Sequence, residues 1–313
     1  MSKQLLILPC MQCIKQSIET GKIPPFPLYR CFTEPKKVIT FTCPNGHINK
    51  VAPQTPPFDL LLRWAFEDFT DGNYAAAMAN FASSLERFIE FSYKVIQKAY
   101  GLSIDEINDF WQPLSKNSER QLGAFIGLYN SILHKSPFNI NKYGKMASHR
   151  NSALHAGIRN RNETEKYGQY VIEIIHNTIE DLLTHGLANA KNEMTIDQLT
   201  QIGPCTSTVV NEFVSWEYSS DEIKKIEKDL LTLSYRDPQK YAEMANKATE
   251  QQKALSVNEK QELILISQEK YEQINKNKKY RGRKTFEQYC EKTRQEKQMF
   301  SCQEVIDVAT DNS

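Results

Sequence analysis

Apolar residues recur at intervals of three and four between Asp59 and Leu187, and this period limits the fold more than any other feature of the chain. Tyr74, Ala77, Met78, Phe81, Leu85, Phe88, Ile89 and Ile96 form one stripe, which predicts a helix of about seven turns. Leu122, Phe125, Ile126, Tyr129, Ile132 and Leu133 form a second. Tyr167, Val171, Ile174, Ile175, Thr178, Ile179, Leu182 and Leu183 form a third. Asn141–Ile158 reads as a further helix between them. Such stripes are the buried faces of packed helices rather than a cofactor box, so residues 59–189 are predicted to be a helical bundle.

Residues 1–52 lack that period and carry four of the seven cysteines. Leu28–Phe32 and Val38–Phe41 favour strand, and Glu34-Pro35-Lys36 between them predicts a hairpin turn. Residues 53–58, with Pro53, Pro56 and Pro57, read as a short stiff linker. Cys10-Met11-Gln12-Cys13 is a C-x2-C pair and Cys43-Pro44-Asn45-Gly46-His47 a C-x3-H pair. Tetrahedral zinc takes four soft or borderline ligands, and two short pairs on tight turns present them from opposite sides. Gly46 suits such a knuckle because it tolerates a positive φ. A unit this small, with few large apolar side chains, also needs a staple to fold. The expectation is a β-rich zinc ribbon with Cys10, Cys13, Cys43 and His47 as ligands. Four protein ligands leave no open position, so this zinc is structural. The alternative is a set of buried thiols without metal; a redox role for the C-x2-C lacks a surrounding βαβ pattern. Cys31 reads as a strand residue before a substitute ligand.

Beyond Ala190 the chain is more polar, and residues 190–313 are predicted to form a helical extension. Lys276–Lys284 holds six cations in nine residues, but Glu269, Glu272 and Glu287 flank it, which favours a solubilising loop over a nucleic-acid contact. Thr195–Val214 has a faint helix-turn-helix outline around Gly203 that Pro204 argues against. Glu262–Ile266 is too short to type as helix or strand.

Composition narrows the function classes. Lys plus Arg come to 39 and Asp plus Glu to 38 over 313 residues, a net charge of +1. A chain this balanced does not coat nucleic acid with its whole surface. Hydrophobic residues at 40% suffice for a packed core, and 12 glycines with 13 prolines argue against a loop-rich sandwich. Leu5–Leu8 is too short to span a bilayer and lacks a following cleavage site. The expectation is a cytoplasmic protein without a membrane anchor, whose cysteines are thiols or ligands rather than disulfides.

Against that balance, Arg120–Asn162 stands out, with seven Arg or Lys, three His, and no Asp or Glu in 43 residues. Such a stretch predicts a local positive field suited to an anionic ligand such as a phosphodiester, or simply a solvated face. It contains His149-Arg150-Asn151-Ser152-Ala153-Leu154-His155-Ala156-Gly157. On a helix Asn151 and His155 share a face, whereas Arg150 lies about 140° from His155. The two would meet only from a frayed first turn or across a subunit contact. Arg offers a fixed charge and a forked donor set that fits phosphate oxygens. His moves a proton near neutral pH. His149 and His134 read as helix-end residues, and Glu86 as a helix charge paired with Arg87 or a neighbour.

The string Arg150-Asn151-x-x-x-His155, set between apolar helices, resembles the RxxxxH motif of the HEPN family. Ala76–Ala82 leading to Leu85–Phe88 is similar to the family's alanine-rich opening helix. The resemblance implies a HEPN-like bundle and a metal-independent endoribonuclease that leaves a 2′,3′-cyclic phosphate. It implies a homodimer with a composite active site, in which Arg150, Asn151 and His155 are the catalytic residues and RNA is the substrate. It further implies a toxin or anti-phage defence effector, with an antitoxin or defence protein as a possible partner. Some members of the family are non-catalytic, so the alternative is a dimeric adaptor that binds nucleic acid or protein through ribbon and bundle. A zinc hydrolase fits poorly, because the metal set is closed and distant in sequence from Arg150.

Overall fold

The structure is a computed structural model that describes residues 5–6, 10, 12–13, 16, 28–30, 38–139, 141–146, 148, 160–202, 205, 207–209, 213–216, 243, 282–301 and 305–307. These residues are mainly helical, with small sheets built on the N-terminal segment. Helix α1 spans Pro57–Thr70 and starts on a proline, whose missing N–H is harmless at the first helical position. Gly72, with φ +80°, turns the chain back into α2, Tyr74–Ala99. Helix α3, Ile104–Trp111, is opened by a capping box between Ser103 and Glu106. The Asn117 side chain caps α4, Ser118–Leu133, by accepting from the amides of Glu119 and Arg120. Residues 141–146 and 148 are helical, which agrees with the start of the helix expected over 141–158; the rest of that helix lies outside the described residues. Asn160 caps α5, Arg161–Thr184, and α6 follows at Ala188–Ile202. Helix α7, Phe286–Ser301, opens on a reciprocal pair between Thr285 and Gln288.

The three stripes are the buried faces of α2, α4 and α5. All eight residues of the third are buried, and the second contributes Phe125, Tyr129 and Leu133 to the core. Phe66 of α1 is the hub, with ring centroids of Phe81, Phe213, Phe286 and Tyr289 between 4.9 and 5.8 Å away. The last three come from the stretch read as an extension, so its described residues complete the core of the bundle.

Two small sheets lie at the N-terminal side. Strands β1 (Leu5–Leu6), β2 (Leu28–Arg30) and β6 (Val305–Asp307) form one, with β2 antiparallel to β1 and parallel to β6. Strands β3 (Ile39–Thr42), β4 (Ile48–Pro53) and β5 (Ser207–Val209) form the other, with β4 antiparallel to β3 and parallel to β5. The hairpin predicted between Leu28–Phe32 and Val38–Phe41 is therefore corrected. The hairpin is β3–β4, turning through Pro44–Gly46, because the C-x3-H knuckle itself makes the reversal. The linker is also shorter than expected, since Pro53 ends β4 and Pro57 begins α1. Ser207–Val209 is a strand, so Thr195–Val214 does not form a helix-turn-helix.

Candidate functional site

The turn between β3 and β4 is built by two backbone hydrogen bonds, Gly46 N to Cys43 O at 2.8 Å and Cys43 N to His47 O at 3.0 Å. Gly46 has φ +80° with open space where a Cβ would stand, so backbone conformation rather than crowding selects glycine there. The buried Asn49 side chain donates to His47 O at 2.9 Å and fixes the far side of the turn. This presents Cys43 Sγ and His47 Nδ1 on one side, 3.6 Å apart.

Cys10 and Cys13 arrive from the opposite side. Cys10 Sγ lies 3.6 Å from His47 Nδ1, and Cys13 Sγ lies 3.3 Å from the same nitrogen and 3.7 Å from Cys43 Sγ. All four donor atoms fall within 4.8 Å of one another. Donors bound 2.0–2.3 Å from a shared centre stand about 3.5–3.8 Å apart along the edges of a tetrahedron. The separations of 3.6 and 3.7 Å match those edges, and the Cys13–His47 one is slightly shorter. Three sulfurs converging on one ring nitrogen cannot all be satisfied as hydrogen bonds, because a neutral imidazole has one acceptor and one donor. Cys10, Cys13, Cys43 and His47 thus lie close together in a set that can hold a metal ion. Asn45 Nδ2 donates to Cys13 Sγ at 3.3 Å, an outer contact of the kind that steadies a thiolate ligand.

The thiols disagree about charge in a way a cation resolves. Burial pushes the Cys10 thiol up, but hydrogen bonding with Cys13, His47 and Cys43 outweighs burial and brings it down to about 7. Burial pushes Cys13 up to about 11, aided by its contacts with Cys10 and Cys43 and opposed by the Asn45 hydrogen bond. One negative charge suppresses the next, and a dication at the centre reverses that suppression. Ile39, Phe41 and Val51 pack behind the ligands and are at most 2% exposed.

Arg150, Asn151 and His155 lie outside the described residues, as do His149 and Cys31. The neighbouring parts of the acid-free stretch are described. Lys135 pairs with Asp181, which also accepts from the Tyr129 hydroxyl, and Lys142 pairs with Glu173 at 2.8 Å. Helix α5 thus supplies acids that sequence distance concealed, and the positive field is weaker than the seven cations suggest. Arg120 and Lys145 are exposed, and the guanidinium of Arg161 lies 5.7 Å from the Phe69 ring centroid.

His134 closes α4 in the left-handed conformation at φ 51°, a helix-end role as expected. Arg87 pairs with Glu90 at 2.6 Å, and Glu90 also takes Lys94. The described end of the basic cluster is docked on α5. Arg283 pairs with Glu180 at 2.7 Å and donates to Asn177, while Lys284 N donates to His176 Nε2 at 3.4 Å. No helix among the described residues is long and apolar enough to cross a membrane.

Sequence reading missed Asp59. Its carboxylate, 1% exposed, accepts from the amides of Phe213 and Val214 at 2.6 and 2.7 Å. An acid in the first turn of an apolar helix was the available signal, and it reads equally well as an ordinary N-terminal charge. Compared with family models, with curated proteins and with solved structures, the chain finds no match in any of the three.

Proposed function

We propose that the chain is a HEPN-type endoribonuclease that cleaves RNA by transesterification, with a structural zinc held by Cys10, Cys13, Cys43 and His47. The observation that carries the reading is the Arg150-Asn151-x-x-x-His155 string in the connection between α4 and α5, two helices of a metal-stapled bundle. In the proposed reaction the ribose 2′-oxygen forms a bond to phosphorus as the bond to the 5′-oxygen breaks. His155 takes the proton from the 2′-hydroxyl or returns one to the leaving 5′-oxygen. Arg150 offsets charge on the phosphorane, and Asn151 orients the phosphate or the facing motif. The product ends are a 2′,3′-cyclic phosphate and a 5′-hydroxyl, and the working unit is a homodimer with RNA in a shared site. A toxin or anti-phage effector, checked by an antitoxin or defence protein, is the cellular setting that fits this chemistry.

Zinc is the metal of choice for three sulfurs and an imidazole at tetrahedral spacing, and such a closed set leaves no site for a reacting water. It supplies fold rather than catalysis.

One observation favours a second reading, that of a cytoplasmic non-catalytic adaptor. Lys135 and Lys142 are neutralised by Asp181 and Glu173, which lessens the pull on a phosphodiester. Cleavage of a broad RNA pool by zinc-loaded wild type and by His155→Ala, with no added magnesium and with end-group analysis, separates the two. The nuclease reading expects cyclic phosphate ends from wild type alone, at unchanged RNA affinity. The adaptor reading expects binding without cleavage from both.

A further inference from the structure

The metal-bearing hairpin joins the bundle through the chain at 53–57, and it joins again through segments far along the sequence. On its free edge β4 pairs with β5, in register Val51 to Ser207, Ala52 to Thr208 and Pro53 to Val209. Four residues past β5, the amides of Phe213 and Val214 are held by both oxygens of Asp59 in the first turn of α1. The Phe213 ring, 1% exposed, packs 5.8 Å from Phe66 and 5.1 Å from Tyr289 between centroids. Arg63 and Lys292 face the same ring at 5.1 and 4.8 Å, and Lys292 donates to Phe213 O at 3.2 Å. Tyr289 and Lys292 belong to α7. The far end of α7 leads to β6, which pairs with β2 in register Leu28 to Val305. Strand β2 lies inside the loop that Cys13 and Cys43 close when both hold one ion.

Strands β5 and β6 are therefore anchored on backbone that the metal centre organises, whereas Arg283 and Lys284 hold the near end of α7 on α5. Among the described residues the cluster around the ligands has five buried members, of which Cys10 and Cys43 are themselves ligands. A unit of that size gains its folding free energy from the metal. Strands β5 and β6 are three residues long, pair in parallel, and have no hairpin connection to their partners. Pairings of this kind hold only on an edge that is already ordered. We infer that the metal centre is a switch on the bundle. With the ion bound, β5, β6 and residues 213–216 are docked; with the ion withdrawn, they release together while α2, α4 and α5 stay packed. The inference rests on the metal site and stands independently of the RNA-cleavage reading.

The test is hydrogen exchange on the full chain, first zinc-loaded, then stripped with EDTA, then reloaded with zinc. The amides of Phe213 and Val214, peptides covering 305–307, and peptides from 78–96 serve as reporter, second reporter and reference. Stripping is expected to raise exchange at 213–214 and 305–307 by at least about tenfold and leave 78–96 unchanged. Zinc restores protection. Emission from Trp216, whose ring packs 5.7 Å from Phe91, shifts to the red in parallel. Cys13→Ser, which removes one ligand and leaves the bundle untouched, reproduces the stripped pattern without chelator. Asp59→Ala deprotects 213–214 while zinc stays bound. A change confined to 10–13 and 39–51 overturns the switch, and so does an equal change in 78–96, which would make metal part of one cooperative unit. Absence of bound zinc by metal analysis overturns the site itself.

Discussion

Glu67 sits on α1 among Arg63, Lys297, Glu296 and Asp68, and burial pushes its carboxyl up to about 7, with the two cations only partly opposing that shift. A carboxyl raised in the folded state keeps its proton longer than in the unfolded chain. Its contribution is therefore fully present below the ordinary glutamate range and is lost as pH rises through about 7. Glu67→Gln removes that loss. Urea titrations across pH should show the variant gaining on wild type from pH 4.5 to 7 and levelling beyond, by about 1–2 kcal/mol. A gain independent of pH would place the cause elsewhere. Gly168 acts through space instead. A Cβ there would stand 2.5 Å from a ring carbon of Phe286 and 2.8 Å from one of Phe81, both buried. Alanine is the better helix former by about 1 kcal/mol, yet crowding two core rings costs about 1–3 kcal/mol. Gly168→Ala is expected to lower the denaturation midpoint, and a higher midpoint would show that the rings give way.

At the scale of elements, the hairpin that carries Cys43 and His47 gives the most direct prediction. Metal binding displaces thiol protons, so affinity falls as pH falls. Titration with cobalt(II) should give the intense visible absorption of a tetrahedral thiolate site, weakened and shifted in Cys13→Ser and lost in acid. An octahedral, weakly absorbing spectrum would contradict the geometry. Which elements were legible follows the range of their signals. The stripes of α2, α4 and α5 are local, repeat over several turns, and name their own buried faces. The ligand pairs are local too, and Gly46 marks their turn. Ser103 with Glu106 and Thr285 with Gln288 were capping boxes in plain sight, each opening a helix the stripe reading passed over. Strands β5 and β6 were not legible, because three residues show no alternation and their partners lie more than 150 residues away. The false hairpin had the same origin, since two β-favouring runs around a proline satisfy every local rule.

Across the whole molecule, the aromatic hub around Phe66 gathers rings from α1, α2, α7 and the 213–216 segment into one core. Residues 190–313 looked like an extension because their apolar residues are sparse in sequence. In space three of them, Phe213, Phe286 and Tyr289, fill the centre. The acid-free stretch misled in the opposite sense, as Asp181 and Glu173 reach it from a helix downstream. Electrostatics follows spatial neighbours, which a linear count does not see. The functional account thus depends on the motif between α4 and α5 rather than on bulk charge. The measurement that tests it most directly is cleavage of RNA by zinc-loaded wild type and His155→Ala, with matched folding and no added magnesium. The account predicts 2′,3′-cyclic phosphate ends from wild type and a loss of at least about a hundredfold in the variant. Equal cleavage by both proteins, or wild-type products lacking that end group, would contradict it.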